Sequence, residues 1–274
     1  MRKTFSEFIK KKLADDKHSA ILLGDISVGL FLDSNETLHE RCFNVGILEQ
    51  SMISMAAGMS RGGATTYVHT ISAFLIERAY EQIKLDLDYN KNKVILVSAN
   101  GPYDYQKLGP THHCSFDIPM ISQLKSIKIY APARKEDLID SLNDATQNYN
   151  SSYIRIPSSS VKNESLSIIK DDKIFNFTNS KKINIFIGES LELFNLQPEL
   201  QNEDCLYIYK INDGINSNLA NYSEIVIWEP YAKAILALQV AKKYPHIKIK
   251  SNCYHTSMEE GIFNYPSYIT EDLT

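Results

Sequence analysis

Cysteine is scarce and scattered in this chain of 274 residues: Cys42, Cys114, Cys205 and Cys253 stand far apart, with no CxxC pair among them. A disulfide framework or a zinc knuckle would need closer, regular spacing. No apolar stretch approaches the roughly 18 residues of a membrane helix. The first residues, Met1-Arg2-Lys3-Thr4-Phe5-Ser6-Glu7, hold no apolar segment of the secretory-leader kind. Basic charge is thin as well. The net charge is −4 and Lys and Arg form no stripe, so a nucleic-acid partner is not expected, since binding a phosphate backbone needs clustered cations. These absences predict a soluble, cytoplasmic protein with neither a nucleic acid nor a membrane as partner. No metal site is expected either: His112-His113-Cys114 is the densest group of ligand-type side chains, but adjacent side chains rarely converge on one ion.

What is present is a 43% hydrophobic sequence, ordinary for a globular protein and long enough for two modest cores. Short β-rich runs, 20–24, 65–69, 94–99, 127–131 and 153–156, alternate with helical patterns at 49–61, 71–87, 116–124 and 134–148. Such alternation predicts an α/β domain with a mostly parallel sheet and helices on both faces. Ligands on such sheets sit at the strand carboxyl ends, where the loops carrying Asp25, Asn100 and His112 should emerge. A polar stretch without clear periodicity follows, and a second α/β unit starts at Ile183, with strands near 206–211, 224–228 and 247–250 and a helix over 231–244. The expected organisation is a domain over 1–160, a linker over 161–182 and a smaller domain over 183–274.

The most informative segment is Phe43-Asn44-Val45-Gly46-Ile47-Leu48-Glu49-Gln50. A β-type run ends in glycine, and a carboxylate opens an apolar helix whose periodic residues are Ile47, Ser51, Met52, Met55, Ala56 and Met59. By itself an acid in a first turn is explained by the helix dipole. The neighbouring blocks add to that reading.

This segment resembles the thiamine-diphosphate motif of the transketolase family, FNVGIAEQ-x-M. The resemblance continues in order through Thr70-Ile71-Ser72-Ala73-Phe74-Leu75 with Arg78-Ala79-Tyr80-Glu81-Gln82-Ile83, the loop Gly109-Pro110-Thr111-His112, and the strand Tyr153-Ile154-Arg155-Ile156. Four ordered blocks cover residues 1 to about 157; the last third matches in outline. The resemblance implies a pyrimidine-type thiamine-diphosphate-binding fold followed by a smaller transketolase C-terminal-like domain. It also implies chemistry. Thiamine diphosphate is an electron sink for a carbanion once it has lost one proton, and in this family a glutamate hydrogen-bonded to the aminopyrimidine ring promotes that loss. Glu49 matches the glutamate and Phe74 the aromatic stacked on the pyrimidine. Ile71 stands where many relatives carry a second Phe, on what is predicted to be the same helix face as Phe74. His112 matches a histidine near the substrate oxygens, Asp25 and Asn100 match positions near the cofactor, and Arg2 matches a phosphate-contacting arginine.

Departures from the family pattern are equally specific. Leu108 replaces the acid that reads a substrate hydroxyl, and Asn100 replaces a histidine. Ser158 replaces an arginine that grips a sugar phosphate, a bidentate clamp that serine does not reproduce. The family's metal and diphosphate anchor, GDG with a later Asn, is missing. The resemblance therefore implies the C-terminal subunit of a split transketolase, acting on a non-standard sugar and sharing its cofactor with a separate N-terminal subunit that holds the diphosphate and Mg2+ or Ca2+. Self-association into a heterotetramer is the expected assembly. Two alternatives stand beside it: the β subunit of a 2-oxoacid dehydrogenase, or a non-catalytic partner protein.

Overall fold

Apolar residues at Phe5, Ile9 and Leu13 recur every four positions, and they form the buried stripe of a first helix, α1 (Arg2–Asp15), which the strand-helix alternation did not predict. This stripe lies in one core with Ile21, Tyr67, Ile95, Val97 and Ile154 from the sheet and Leu138 and Leu142 from a later helix. The computed structural model describes residues 1–161, 174–176, 178–255, 258–259, 262–263 and 267–274. These divide into two compact units, Met1–Ser159 and Ser160–Thr274.

In the first unit six strands, β1 (Ser19–Leu23), β2 (Cys42–Asn44), β3 (Thr65–Ile71), β4 (Val94–Ala99), β5 (Lys128–Tyr130) and β6 (Ser152–Ile156), form one sheet in the order 2-1-3-4-6-5. Every pairing is parallel. All residues of β1, β4 and β6 are buried, as strands covered on both faces must be. The chain winds from β1 to β2 on one side and then crosses to β3 on the other, so the strand carboxyl ends open a crevice beside β1 and β3. Gly24 lines that crevice because nothing larger fits: a Cβ there would stand 2.8 Å from the Thr70 Cβ.

Helices α2 (Val28–Phe31), α3 (Glu49–Arg61), α4 (Tyr80–Gln82), α5 (Asp117–Ile121) and α6 (Lys135–Gln147) complete the unit. The buried face of α3 is Glu49, Met52, Ile53, Ala56 and Ala57. It is rotated from the expected stripe, and Ser51 and Met55 point away from the core. The expected helix over 71–87 is also different in kind. Ile71 is the last residue of β3, and the segment continues as two π-helical stretches, Ala73–Glu77 and Ile83–Tyr89, flanking α4. Ile71 and Phe74 thus do not share a helix face.

The second unit carries β7 (Ile174–Asn176), β8 (Lys182–Ile187), β9 (Asp204–Ile208), β10 (Glu224–Glu229), β11 (Lys248–His255), a small β12–β13 ladder (Met258–Glu259 with Ile262–Phe263) and β14 (Ser267–Asp272). The main sheet runs 14-11-10-8-9-7, with a parallel centre and antiparallel edges β7 and β14. Helices α7 (Glu192–Leu196) and α8 (Leu236–Lys243) belong to it. The helix expected over 231–244 begins later because Glu229, buried at the end of β10, accepts the N–H groups of Ile235 and Leu236 at 2.9 and 2.8 Å and so caps α8. Of the stretch expected as a linker, residues 162–173 and 177 lie outside the described residues, and 174–176 form β7.

Candidate functional site

Gly46 turns the chain from β2 into α3 with a backbone φ of 75°, a conformation that side-chain-bearing residues rarely adopt. The Asn44 side chain braces this turn: its Oδ1 accepts the N–H of Asp25 at 3.0 Å and that of Gly46 at 3.3 Å, while its Nδ2 donates to Asp25 Oδ1 at 3.1 Å. Just beyond the turn, Glu49 enters the first turn of α3 with 2% of its surface exposed. Its Oε2 accepts Arg78 Nη1 at 2.7 Å, and its Oε1 is buried with no hydrogen-bond partner among the described residues. A buried acceptor left open is costly and calls for a ligand donor.

Arg78 carries no role in the sequence reading, and the structure makes it central. Its N–H bonds the carbonyl of Ala73, five residues back, at 3.2 Å. That wide turn re-aims the following side chains, a known habit of π-bulges at functional sites. The guanidinium lies 4.2 Å from the centre of the Phe74 ring while also donating to Glu49. It stacks on the aromatic as a planar cation does. Phe74 also contacts His112, edge-on at 5.1 Å, and Tyr105 lies edge-on to His112 at 5.9 Å. Glu49, Arg78, Phe74, His112 and Tyr105 therefore form one connected cluster. The sequence signal for Arg78 is only its position inside a matched block, because the widening of the helix is invisible in a 3.6-residue pattern; Tyr105, just ahead of the Gly109 loop, has no signal of its own.

The three neighbours His112, His113 and Cys114 diverge. His113 packs on Tyr103 at 5.2 Å, and Cys114 is fully buried. Burial, together with the nearby Asp117 and Glu77 carboxyls, pushes the Cys114 thiol well above its ordinary range, so it is not a thiolate nucleophile. Among the described residues no group of three or more His, Cys, Asp and Glu side chains is placed to hold a metal ion.

Other expected site residues lie around this cluster. Asp25 is exposed, left-handed (φ 57°) and tied to Asn44. Ile71 is half-buried at the end of β3. Leu108, 57% exposed, ends a short 3-10 turn. Arg2 is half-buried in the first turn of α1. Asn100 follows β4 with φ 78° and is only 1% exposed, yet neither atom of its amide has a hydrogen-bond partner among the described residues. Ser158 lies two residues beyond the end of β6, the strand beside β4, and its N–H donates to Asp104 Oδ2 at 2.7 Å.

Glu49, buried at the start of α3 with one oxygen unpartnered among the described residues, is joined through Arg78 to Phe74, and these two are the acid and the aromatic that the thiamine-diphosphate resemblance singled out. Residues 1–163 match the family model "Transketolase, pyrimidine binding domain", and this chain belongs to that family. Among its curated relatives is an uncharacterized 33.6 kDa protein in the fasciation locus of Rhodococcoides fascians, 26% identical over 96% of this chain and 86% of that protein. Another is a subunit of the apulose-4-phosphate transketolase of Actinobacillus succinogenes, 36% identical over 43% of this chain and 38% of that protein. Thus the chain aligns with well under half of the latter. A solved split-gene transketolase, described as an inactive beta4 tetramer, has the same fold, with a TM-score of 0.77 at 19% identity over 93% of this chain and 89% of that one. Membership implies dependence on thiamine diphosphate and a transferase-type chemistry. Among the described residues no helix is long and apolar enough to cross a membrane.

Proposed function

We propose that this chain is the pyrimidine-binding subunit of a two-subunit transketolase that transfers a two-carbon ketol unit between sugars, one of them non-standard. The observation that carries this reading is Glu49: buried, opening α3, with one carboxylate oxygen held by Arg78 and the other without a hydrogen-bond partner among the described residues. Bound thiamine diphosphate would supply the electron sink for the two-carbon carbanion. Glu49 Oε1 would hold the pyrimidine ring by accepting from, or sharing a proton with, a ring nitrogen. Phe74 would provide the stacking surface on which the Arg78 guanidinium now rests, so Arg78 must move aside or share Glu49 when the pyrimidine enters. His112, held against Phe74 and bonded through Nδ1 to Thr111 Oγ1 at 2.9 Å, would present its other ring nitrogen to substrate oxygens and stabilise charge that develops there. Ile71, Asp25 and Asn100 would border the cofactor, and Arg2, Leu108 and Ser158 the substrate.

Mg2+ or Ca2+ and the diphosphate would be held by a separate N-terminal subunit, with the two kinds of chain combined as a heterotetramer. Most of the cofactor's charge would otherwise lack a partner. The experiment is an isothermal titration of thiamine diphosphate and magnesium into the chain alone, then into the chain mixed with a diphosphate-binding subunit from a neighbouring reading frame. The expected outcome is no micromolar binding alone, and binding with ketol transfer in the mixture. Micromolar binding by the isolated chain would overturn the split-site reading.

A further inference from the structure

Just past the carboxyl ends of the adjacent strands β4 and β6, two backbone donors converge on one oxygen. The N–H of Gly101 and the N–H of Ser158 both reach Asp104 Oδ2, each at 2.7 Å. Two converging N–H groups at the mouth of a parallel sheet form the kind of concavity that ordinarily receives an external anion. Here a carboxylate of the same chain already fills it. A phosphate arriving at this point would find both donors taken and a negative charge in the place it would occupy. Next to this filled cradle lies the opposite situation: Asn100 is left-handed and buried, and among the described residues neither its amide nitrogen nor its amide oxygen has a hydrogen-bond partner, which leaves one donor and one acceptor for a neutral partner to satisfy. A hydroxyl can satisfy both kinds of atom; a fully ionised phosphate monoester, which only accepts, leaves the amide oxygen without a donor.

We infer that Asp104 is a built-in anion that determines specificity, and that the sugar end reaching the β4 and β6 strand ends carries hydroxyls and no phosphate, read by the Asn100 amide. This deepens the transketolase reading and rests on it for the word sugar. The Actinobacillus relative is named for a phosphorylated sugar, so the two proteins would differ at this end.

The test uses the full chain, 15N-labelled, and inorganic phosphate as the probe. In the native chain the amide signals of Gly101 and Ser158 should stay unmoved at millimolar phosphate. In Asp104→Ala the same two signals should shift with phosphate, reporting affinity gained by about ten- to hundredfold, the worth of charge-assisted hydrogen bonds. Asp104→Asn, which loses the charge and keeps an acceptor, should fall between them, and it covers the case in which the alanine variant does not fold. Phosphate-dependent shifts of these two amides in the native chain would overturn the inference, as would no gain in either variant. The titration needs no partner and no turnover. A failed ketol-transfer assay with positive titrations would therefore strike the transketolase reading and leave Asp104 as an anion mimic, while the reverse result would do the opposite.

Discussion

Glu49 and His69 are both buried at the strand carboxyl ends, and their surroundings give them opposite tasks. Glu49 keeps one buried oxygen without a hydrogen-bond partner among the described residues. In the assembled enzyme, Glu49→Gln should leave folding intact and lower kcat by about 10²- to 10⁴-fold, the usual worth of a positioned acid. His112→Ala should cost less, and by an amount that depends on the donor sugar; steady-state kinetics of the two variants check both. His69 is closed on every side. Its Nδ1 donates to the Val97 carbonyl at 2.8 Å, its Nε2 takes the Ser27 hydroxyl at 3.0 Å, and Phe5 packs on the ring at 4.8 Å. Burial pushes its pKa down from 6.5 to about 4. In that window the unfolded chain binds a proton that the folded chain refuses, so stability contributed by neutral His69 is complete above about 6.5 and is lost as pH falls toward about 4. The full loss is about 3 kcal/mol. Urea denaturation of the native chain and of His69→Gln should show stability falling more steeply with acid in the native chain.

At the scale of elements, the parallel sheet was readable because short β-rich runs alternate with helical patterns and β1 and β4 are largely apolar, and β4 spans the predicted residues, Val94 to Ala99. The stretch after β3 was not readable. Residues 71–87 look like an ordinary helix by composition, and the i+5 hydrogen bond that widens it is a backbone event with no 3.6-residue pattern to announce it. That event sends Arg78 to Glu49 and leaves Ile71 on the strand. Hence the acid and its aromatic neighbour could be named from sequence, and the cation joining them could not. Helix α1 went unpredicted although its apolar residues are regularly spaced, since charged residues dilute them. The sequence also conceals how α5 is fastened. Asp117, at its first position, accepts Arg155 Nη1 at 3.0 Å and the Tyr153 hydroxyl at 2.6 Å, and both acid and arginine are fully buried. Removing one partner of such a pair strands the other charge. Arg155→Met should therefore destabilise the chain by about 3 to 5 kcal/mol, measured as a lower urea midpoint, and should disturb the loop that carries His112 more than it disturbs the second unit.

For the whole molecule, the distribution of apolar surface argues for association. On the segments that lead into and follow Glu49, and on the second π-helical stretch beside α3, Phe43, Ile47, Leu48, Met55 and Leu85 are each at least 42% exposed. They come from β2, the turn before α3, α3 itself and the second π-helical stretch. The last two elements are joined by Ser54 Oγ, which donates to Asp86 at 2.6 Å. Apolar side chains grouped near a buried, half-satisfied acid are what a covering subunit would need, since burial beneath a partner would both remove them from water and close the site against it. Met52, by contrast, faces inward and is fully buried, and Met55 is the most exposed methionine of α3, where an adaptable thioether would suit an interface. The expected outcome is that the chain is not a functional monomer: light scattering with partner and cofactor present should give the mass of a complex with two copies of each subunit. Leu48→Asp or Met55→Asp, placed on this exposed surface and away from the core, should weaken assembly and cofactor retention together while leaving the chain's own unfolding free energy, measured by urea denaturation, within about 0.5 kcal/mol of native. A single-chain mass that persists with partner and cofactor would count against the assembly. So would unchanged assembly in both charged variants, because a carboxylate buried without a counter-charge cannot be tolerated in an apolar interface.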